Sequence, residues 1–174
     1  MMFVSLGIGT AVALALIAVV SMITGGAAKN GAPAPALVGT TLTKWTDTGL
    51  QAPTVVAPWN TGHATAVVIF ASWCGPCRSE LSVLSKYLAT HRLGRVALLG
   101  VDVHDSRAAA LAFLQPYRVR MSSVFDPEGR AYDRFRLSAI PDTVFVTSGG
   151  VVQNVLVGPI STASFAHDVA ALGA

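Results

Sequence analysis

The sequence predicts an α/β protein: a mixed central sheet flanked by helices, preceded by an N-terminal transmembrane helix. Three observations predict it. Continuously apolar, β-branched runs alternate with helical patterns from Ala64 onward. A strand–turn–strand pattern and a last amphipathic stretch close the chain, which adds antiparallel strands to a parallel core. An uncharged run, "FVSLGIGTAVALALIAVVSMIT", stands ahead of everything else from Phe3 to Thr24.

As a helix that first run is about 33 Å long, enough to cross a bilayer core of about 30 Å. A cleaved signal peptide has a shorter apolar core and a basic start. Here the core is long and no Lys or Arg precedes it, so an uncleaved anchor is the favoured reading. Small residues at Gly26 and Ala28 leave cleavage open, and a buried core helix is the plainer alternative. Lys29 on the C-terminal side is a single vote for keeping that side cytoplasmic. The expected organisation is an anchor or signal segment over 1–25, a linker over 26–39 and a folded domain over 40–174. The linker expectation rests on "GGAAKNGAPAPA", a tract of small residues and prolines.

Residues 37–62 have weak periodicity and are expected to form short strands and turns. "ATAVVIFAS" suits a strand buried on both faces. "GPCRSELSVLSKYLATHR" has helical spacing, with Cys77, Leu81, Leu84 and Leu88 on one stripe and Pro76 in the first turn. "RVALLGVDV" is a second buried strand. "DSRAAALAFLQ" is a helix with Asp105 as its expected N-cap. "SSVFD" is a brief strand, "DPEG" a turn and "RAYDRFRL" a short helix. "DTVFVTSGGVVQNVLVG" reads as a hairpin. "STASFAHDVAALGA" is a closing helix with Phe165, Val169 and Leu172 on one face.

A formal charge of +3, scattered after residue 28, gives no case for nucleic acid as a partner. The chain's chemistry is concentrated in "FASWCGPCRSEL", which holds both of its cysteines. Cys74 falls where a buried strand gives way to a helix. Free N–H groups of the first turn and the helix dipole favour a thiolate there. Cys77 lies one turn further in, on the buried stripe. This asymmetry suggests that an exposed Cys74 attacks and that Cys77 resolves the mixed disulfide. Gly75 lets a partner chain come close, and Pro76 stiffens the turn. A structural bridge remains an alternative, but so short a loop stabilises little. A metal clip lacks ligands at suitable spacing among His63, His91, His104 and His167. Haem attachment needs a histidine where Arg78 stands.

Trp73-Cys74-Gly75-Pro76-Cys77 after a buried strand resembles the active-site motif of thioredoxin-fold proteins. "FASWCGPCRSEL" is similar to the FWASWCxPCRxExP signature of the membrane-anchored TlpA/ResA and DsbE/CcmG type. "GVDVHDSRAAALAFL" and "VFDPEGRAYDRFRLSAIPDTVFVTSGGVV" look like later segments of that family. The resemblance covers residues 64–160 well and 30–63 loosely. It implies a thioredoxin-like fold and carries over Cys74, Cys77, Glu80 and Pro141 as the catalytic set. Pro141 matches the proline whose preceding bond is cis, which turns the backbone of Ile140 toward a substrate strand. Trp73, Gly75, Pro76, Ile140 and Asp142 would then line the substrate site.

Two of these positions also have a physical basis. Pro141 suits the start of a strand, because it has no N–H to donate. Glu80 would lie at the edge of the buried stripe, close to the Cys77 turn, with a raised pKa and a proton to pass. The plainer alternatives are a turn proline and a solvated glutamate.

The sequence departs from the family pattern at three places. Val68 stands where many relatives carry a buried Asp or Asn, Ser82 where a proline is common, and Asp142 where threonine follows the cis proline. Asp142 is expected to repel a Cys74 thiolate and make the pair more reducing; the competing expectation is that it points to solvent or caps a backbone N–H.

The resemblance implies a single-pass cell-membrane protein with its catalytic domain outside the cytoplasm, or a secreted one if the first segment is cleaved. Its expected partners are disulfide-bearing exported proteins, such as apocytochrome c, and a membrane thiol electron donor. No cofactor or metal is implied. A disulfide-forming oxidase or isomerase, and a non-catalytic chain-binding module, remain the alternatives.

Overall fold

The computed structural model describes residues 30–42, 54–117, 119 and 121–173. The apolar run over 1–25 lies outside the described residues. Among the described residues no helix is long and apolar enough to cross a membrane.

The elements follow in the order β1 (Leu37–Leu42), β2 (Thr54–Val56), a short 3-10 turn (Pro58–Thr61), β3 (Thr65–Phe70) and α1 (Gly75–Thr90). Next come β4 (Ala97–Val103), α2 (Arg107–Leu114), β5 (Ser122–Asp126) and α3 (Arg130–Phe135). β6 (Asp142–Val146), β7 (Val152–Val157) and α4 (Thr162–Gly173) complete the chain. The strands form one sheet in the order β2-β1-β5-β4-β3-β6-β7. β3, β4 and β5 run parallel; β6 pairs antiparallel with β3, and β7 antiparallel with β6. The central sheet is therefore mixed, as the alternation followed by a hairpin pattern predicts.

Every residue of β3 is buried. Its side chains alternate between two cores, which is why the run carries no polar break. Ala66, Val68 and Phe70 face the core that α1, α2 and α4 cover. Val67 and Ile69 face the opposite core, which α3, Leu37 and Trp59 close.

Three sequence expectations shift. The N-cap of α2 is Ser106, whose Oγ accepts the Ala109 N–H, and not Asp105. On α1, Tyr87 is buried, whereas Leu88 is only partly covered. The chain also joins the sheet before residue 40. Gly31 N–H donates to the Val152 carbonyl at 2.7 Å, and Ala34 N–H to that of Gly150 at 2.7 Å. The free linker read over 26–39 therefore ends by Gly31.

Candidate active site

The site forms at the C-terminal end of β3. There the chain passes from strand to helix through Ala71, Ser72 and Trp73. Cys74 is the N-cap of α1, in an extended conformation, and its Sγ accepts the Cys77 N–H at 3.2 Å. The two cysteines form a disulfide. Cys77 is fully buried, and Cys74 is 4 % exposed. Both cysteines are thus buried in the oxidised form, and the exposed Cys74 that the sequence suggests is not seen there. What stands clear is the rim: Trp73 is 60 % exposed, and Gly75 and Pro76 are also exposed.

Glu80 lies on α1, three positions past Cys77, and has no exposed surface. Its Oε1 accepts the Thr143 hydroxyl at 2.8 Å. Its Oε2 has no hydrogen-bond partner. Burial pushes the carboxyl up to about 7; the Thr143 hydrogen bond opposes that rise, and the charge of Asp142 adds to it. The solvated-surface reading of Glu80 is thereby corrected.

The Ile140–Pro141 peptide is cis. Asp142, the next residue, pairs with Ile69 in the β6–β3 register. Pro141 therefore lies level with Phe70, at the sheet end where the dithiol turn begins. Asp142 is buried, and its Oδ1 accepts the Gly158 N–H at 3.2 Å. Successive strand residues point to opposite faces, so Asp142 faces away from the side where Thr143 meets Glu80. Asp142 thus caps a backbone N–H and does not point to solvent. Burial raises its carboxyl to about 6, against the pull of that hydrogen bond. Val68, the register partner of Thr143, is buried on the Glu80 face.

Several residues of this neighbourhood escape the sequence reading. Thr143 looks like an ordinary strand residue until the register sets it against Glu80. Asp105 and His104 bind the dithiol turn: Ser72 N–H donates to Asp105 Oδ2 at 2.6 Å, and the Trp73 indole N–H donates to the His104 carbonyl at 2.9 Å. Asp102 is fully buried in β4, with neither carboxyl oxygen hydrogen-bonded. Burial first, then the neighbouring Asp105, raises its pKa to about 9, so it carries a proton at neutral pH. An Asp inside the apolar run "LLGVDV" was the available signal, because a buried Asp demands an explanation. Among the described residues no group of histidine, cysteine and acidic side chains could hold a metal ion.

The chain is similar to known proteins. The chain is 32% identical over 112 residues to the thiol:disulfide interchange protein DsbE of Allochromatium vinosum, covering 62% of this chain and 59% of that one. It is 26% identical over 107 residues to the thiol-disulfide oxidoreductase ResA of Bacillus subtilis, again 62% and 59%. The matched part thus spans less than two thirds of these curated relatives. Among solved structures, a thioredoxin-family thiol:disulfide interchange protein from Chlorobium tepidum superposes with a TM-score of 0.64 at 25% identity, over 83% of this chain and 97% of that one. The fold is thioredoxin-like. The AhpC/TSA family model matches residues 38–155, from the first strand through the dithiol turn into the last strand, and the chain belongs to that family.

Proposed function

We propose that this chain is a thiol:disulfide oxidoreductase whose redox centre is the Cys74–Cys77 pair, and that it works as a reductant. The observation that carries the reading is the placement of the disulfide. One sulfur caps a helix N-terminus beneath an exposed rim, and its partner is sealed one turn below.

In the reduced form, the Cys74 thiolate attacks a substrate disulfide. A Cys74–substrate bond forms, and the substrate's own S–S bond breaks with one sulfur leaving. The Cys77 thiolate then attacks Cys74 Sγ and releases the second substrate sulfur. Two electrons have moved from the protein dithiol to the substrate, and the Cys74–Cys77 disulfide remains. The Cys77 thiol must lose its proton for the second step. Glu80, in the same stretch of helix and with a midpoint near neutrality, is the group placed to take it. Trp73, Gly75 and Pro76 form the exposed rim, and Ile140 and Pro141, just before β6, bound the site. The substrate chain lies across these residues.

The finer reading draws on the motif resemblance and on the apolar run at the N-terminus. The domain is tethered to the outer face of a cytoplasmic membrane and reduces disulfides in exported proteins such as apocytochrome c. A membrane thiol donor restores its dithiol. The names of the relatives, DsbE and ResA among them, support disulfide exchange as the chemistry.

The test is a Cys77→Ser variant expressed in cells. It should accumulate mixed disulfides through Cys74, and Cys74→Ser should abolish both trapping and turnover. Turnover that survives Cys74→Ser would make the chain a binding module. A reduction potential nearer roughly −120 mV than roughly −270 mV would make it an oxidant.

A further inference from the structure

The turn that presents the dithiol is held from outside its own helix. Asp105 lies in the loop between β4 and α2 and grips Ser72 with both oxygens. Oδ2 accepts the Ser72 N–H at 2.6 Å, and Oδ1 accepts the Ser72 hydroxyl at 2.9 Å. Oδ1 also accepts the N–H of Ser106 at 2.7 Å. One residue earlier, the His104 carbonyl takes the indole N–H of Trp73 at 2.9 Å. Two consecutive residues of the dithiol turn are therefore fastened to two consecutive residues of one loop.

That loop is itself fixed. Ser106 caps α2, so the chain beyond Asp105 is anchored in a helix. His104 adopts a left-handed conformation, φ +52, that few non-glycine residues take. Its ring packs edge-on to Tyr132, with centroids 6.0 Å apart, and lies so close to Gly129 that a Cβ there would strike it. Gly129 itself has φ +69, where glycine alone is unstrained. Asp102, fully buried in β4, has its pKa raised to about 9 and so places no second full charge beside Asp105. Arg78, from α1, reaches back to the Ser72 carbonyl at 3.4 Å.

We propose that Asp105 is a positioning residue of the dithiol, clasping the Ser72–Trp73 turn so that the first-turn amides stay aimed at Cys74 Sγ. The proposal rests on the dithiol being the redox centre. Asp105 has two opposed effects on Cys74. Its negative charge acts through space and disfavours a thiolate. Its hydrogen bonds hold the N-cap geometry in which the Cys77 N–H points at the sulfur, and that favours a thiolate. The clasp dominates, because its charge-assisted bonds act at hydrogen-bond range and three donors, the Ser72 N–H and hydroxyl and the Ser106 N–H, already offset the carboxylate's charge.

The opposed signs make the test clean. Asp105→Ala, Asp105→Asn and Ser72→Ala are made in the full chain. The Cys74 thiol pKa is followed in the reduced protein by thiolate ultraviolet absorbance, together with the reduction potential and urea unfolding. Asp105→Ala should raise the Cys74 pKa by about one pH unit, a roughly tenfold loss of thiolate at neutral pH. Asp105→Asn, which can still accept the Ser72 N–H, should recover most of that loss. Ser72→Ala keeps the carboxylate, removes one bond and should move the pKa the same way by less.

A fall of equal size in both Asp105 variants, with Ser72→Ala unchanged, would show a charge effect and overturn the clasp. Lower stability with an unmoved Cys74 pKa would reduce Asp105 to a scaffold residue, and also overturns it. Should Asp105→Ala fail to fold, the other two variants decide. None of these outcomes touches the redox reading, which stands or falls on Cys74→Ser.

Discussion

Replacing Thr143 with valine tests how Glu80 is tuned. The Thr143 hydroxyl donates to Glu80 Oε1 at 2.8 Å inside the core, and the other carboxyl oxygen has no partner. Valine keeps the branched shape and loses the donor. A hydrogen bond to a charged group is worth about 1.5–3 kcal/mol. At about 1.4 kcal/mol per pH unit, its loss should lift the Glu80 midpoint by about one to two pH units. The starting point is about 7, so the variant should titrate well above neutrality. Where about half of the carboxyls are ionised at pH 7 in the parent, about a tenth or fewer would be in the variant.

The oxidised protein is the form to measure, because its cysteines are joined and do not titrate over the carboxyl. Carbon-detected NMR of the Glu side chains gives the midpoint directly. In the reduced protein, resolution of the mixed disulfide at neutral pH should slow about tenfold, and its pH profile should move up with the carboxyl. A Glu80 midpoint that stays put or falls, in a variant that melts like the parent, would refute the account of how this acid is set. A midpoint that rises without moving the resolution rate would separate Glu80 from proton transfer.

Asp142→Asn should act on the same carboxyl in the opposite direction. Asparagine can still accept the Gly158 N–H but has no charge, so the Glu80 midpoint should fall, by less than Thr143→Val raises it; an unchanged midpoint in the same NMR titration would contradict this. Stability should depend on pH with a definite sign. Glu80, Asp142 and Asp102 have folded pKa values of about 7, 6 and 9, raised from 4.5, 3.8 and 3.8. As pH rises, the unfolded chain releases these protons first, so the stabilisation is complete below about pH 4 and is lost progressively as pH climbs through the folded values. Urea unfolding of the oxidised protein should show the steepest loss between about pH 4.5 and 6, where all three groups differ between the two states. Asp102→Asn should flatten the decline above pH 7; stability that rises from pH 5 to 8 would contradict the assignment.

What could be read in the sequence depended on whether local pattern or tertiary contact decides the outcome. β3 and α1 were legible because a strand buried on both faces carries no polar break, and a one-sided helix repeats its apolar residues. The dithiol was legible because its position between them is local. The cap of α2 was not. Asp105 and Ser106 are adjacent capping residues, and the choice fell to Ser106 because Ser72, from a distant turn, engages the aspartate. Thr143 could not be singled out, because its importance depends on the β3–β6 register and on the burial of Glu80. The orientation of Asp142 was likewise a question of which sheet face it takes, and the strand period answers that only once Thr143 is fixed.

The departure at Val68 acquires a physical meaning from that register. Val68 and Thr143 are paired across β3 and β6 and face the same core as the cysteines. An acid at Val68 would add a second buried carboxyl to a region that already holds Glu80, and two such groups cannot both ionise cheaply. With valine there, the proton near Cys77 belongs to one carboxyl, carried by the helix and not by the strand. Its midpoint is then set by burial, by one hydroxyl and by one charge on the far face of the sheet. On the proposed mechanism, acid–base control at this site would pass through α1 and β6, and the geometry of Cys74 through the loop after β4. Separate elements would then govern the two sulfurs, and each could be perturbed alone. Thr143→Val should alter resolution and leave the Cys74 pKa in place, and Asp105→Ala should do the reverse.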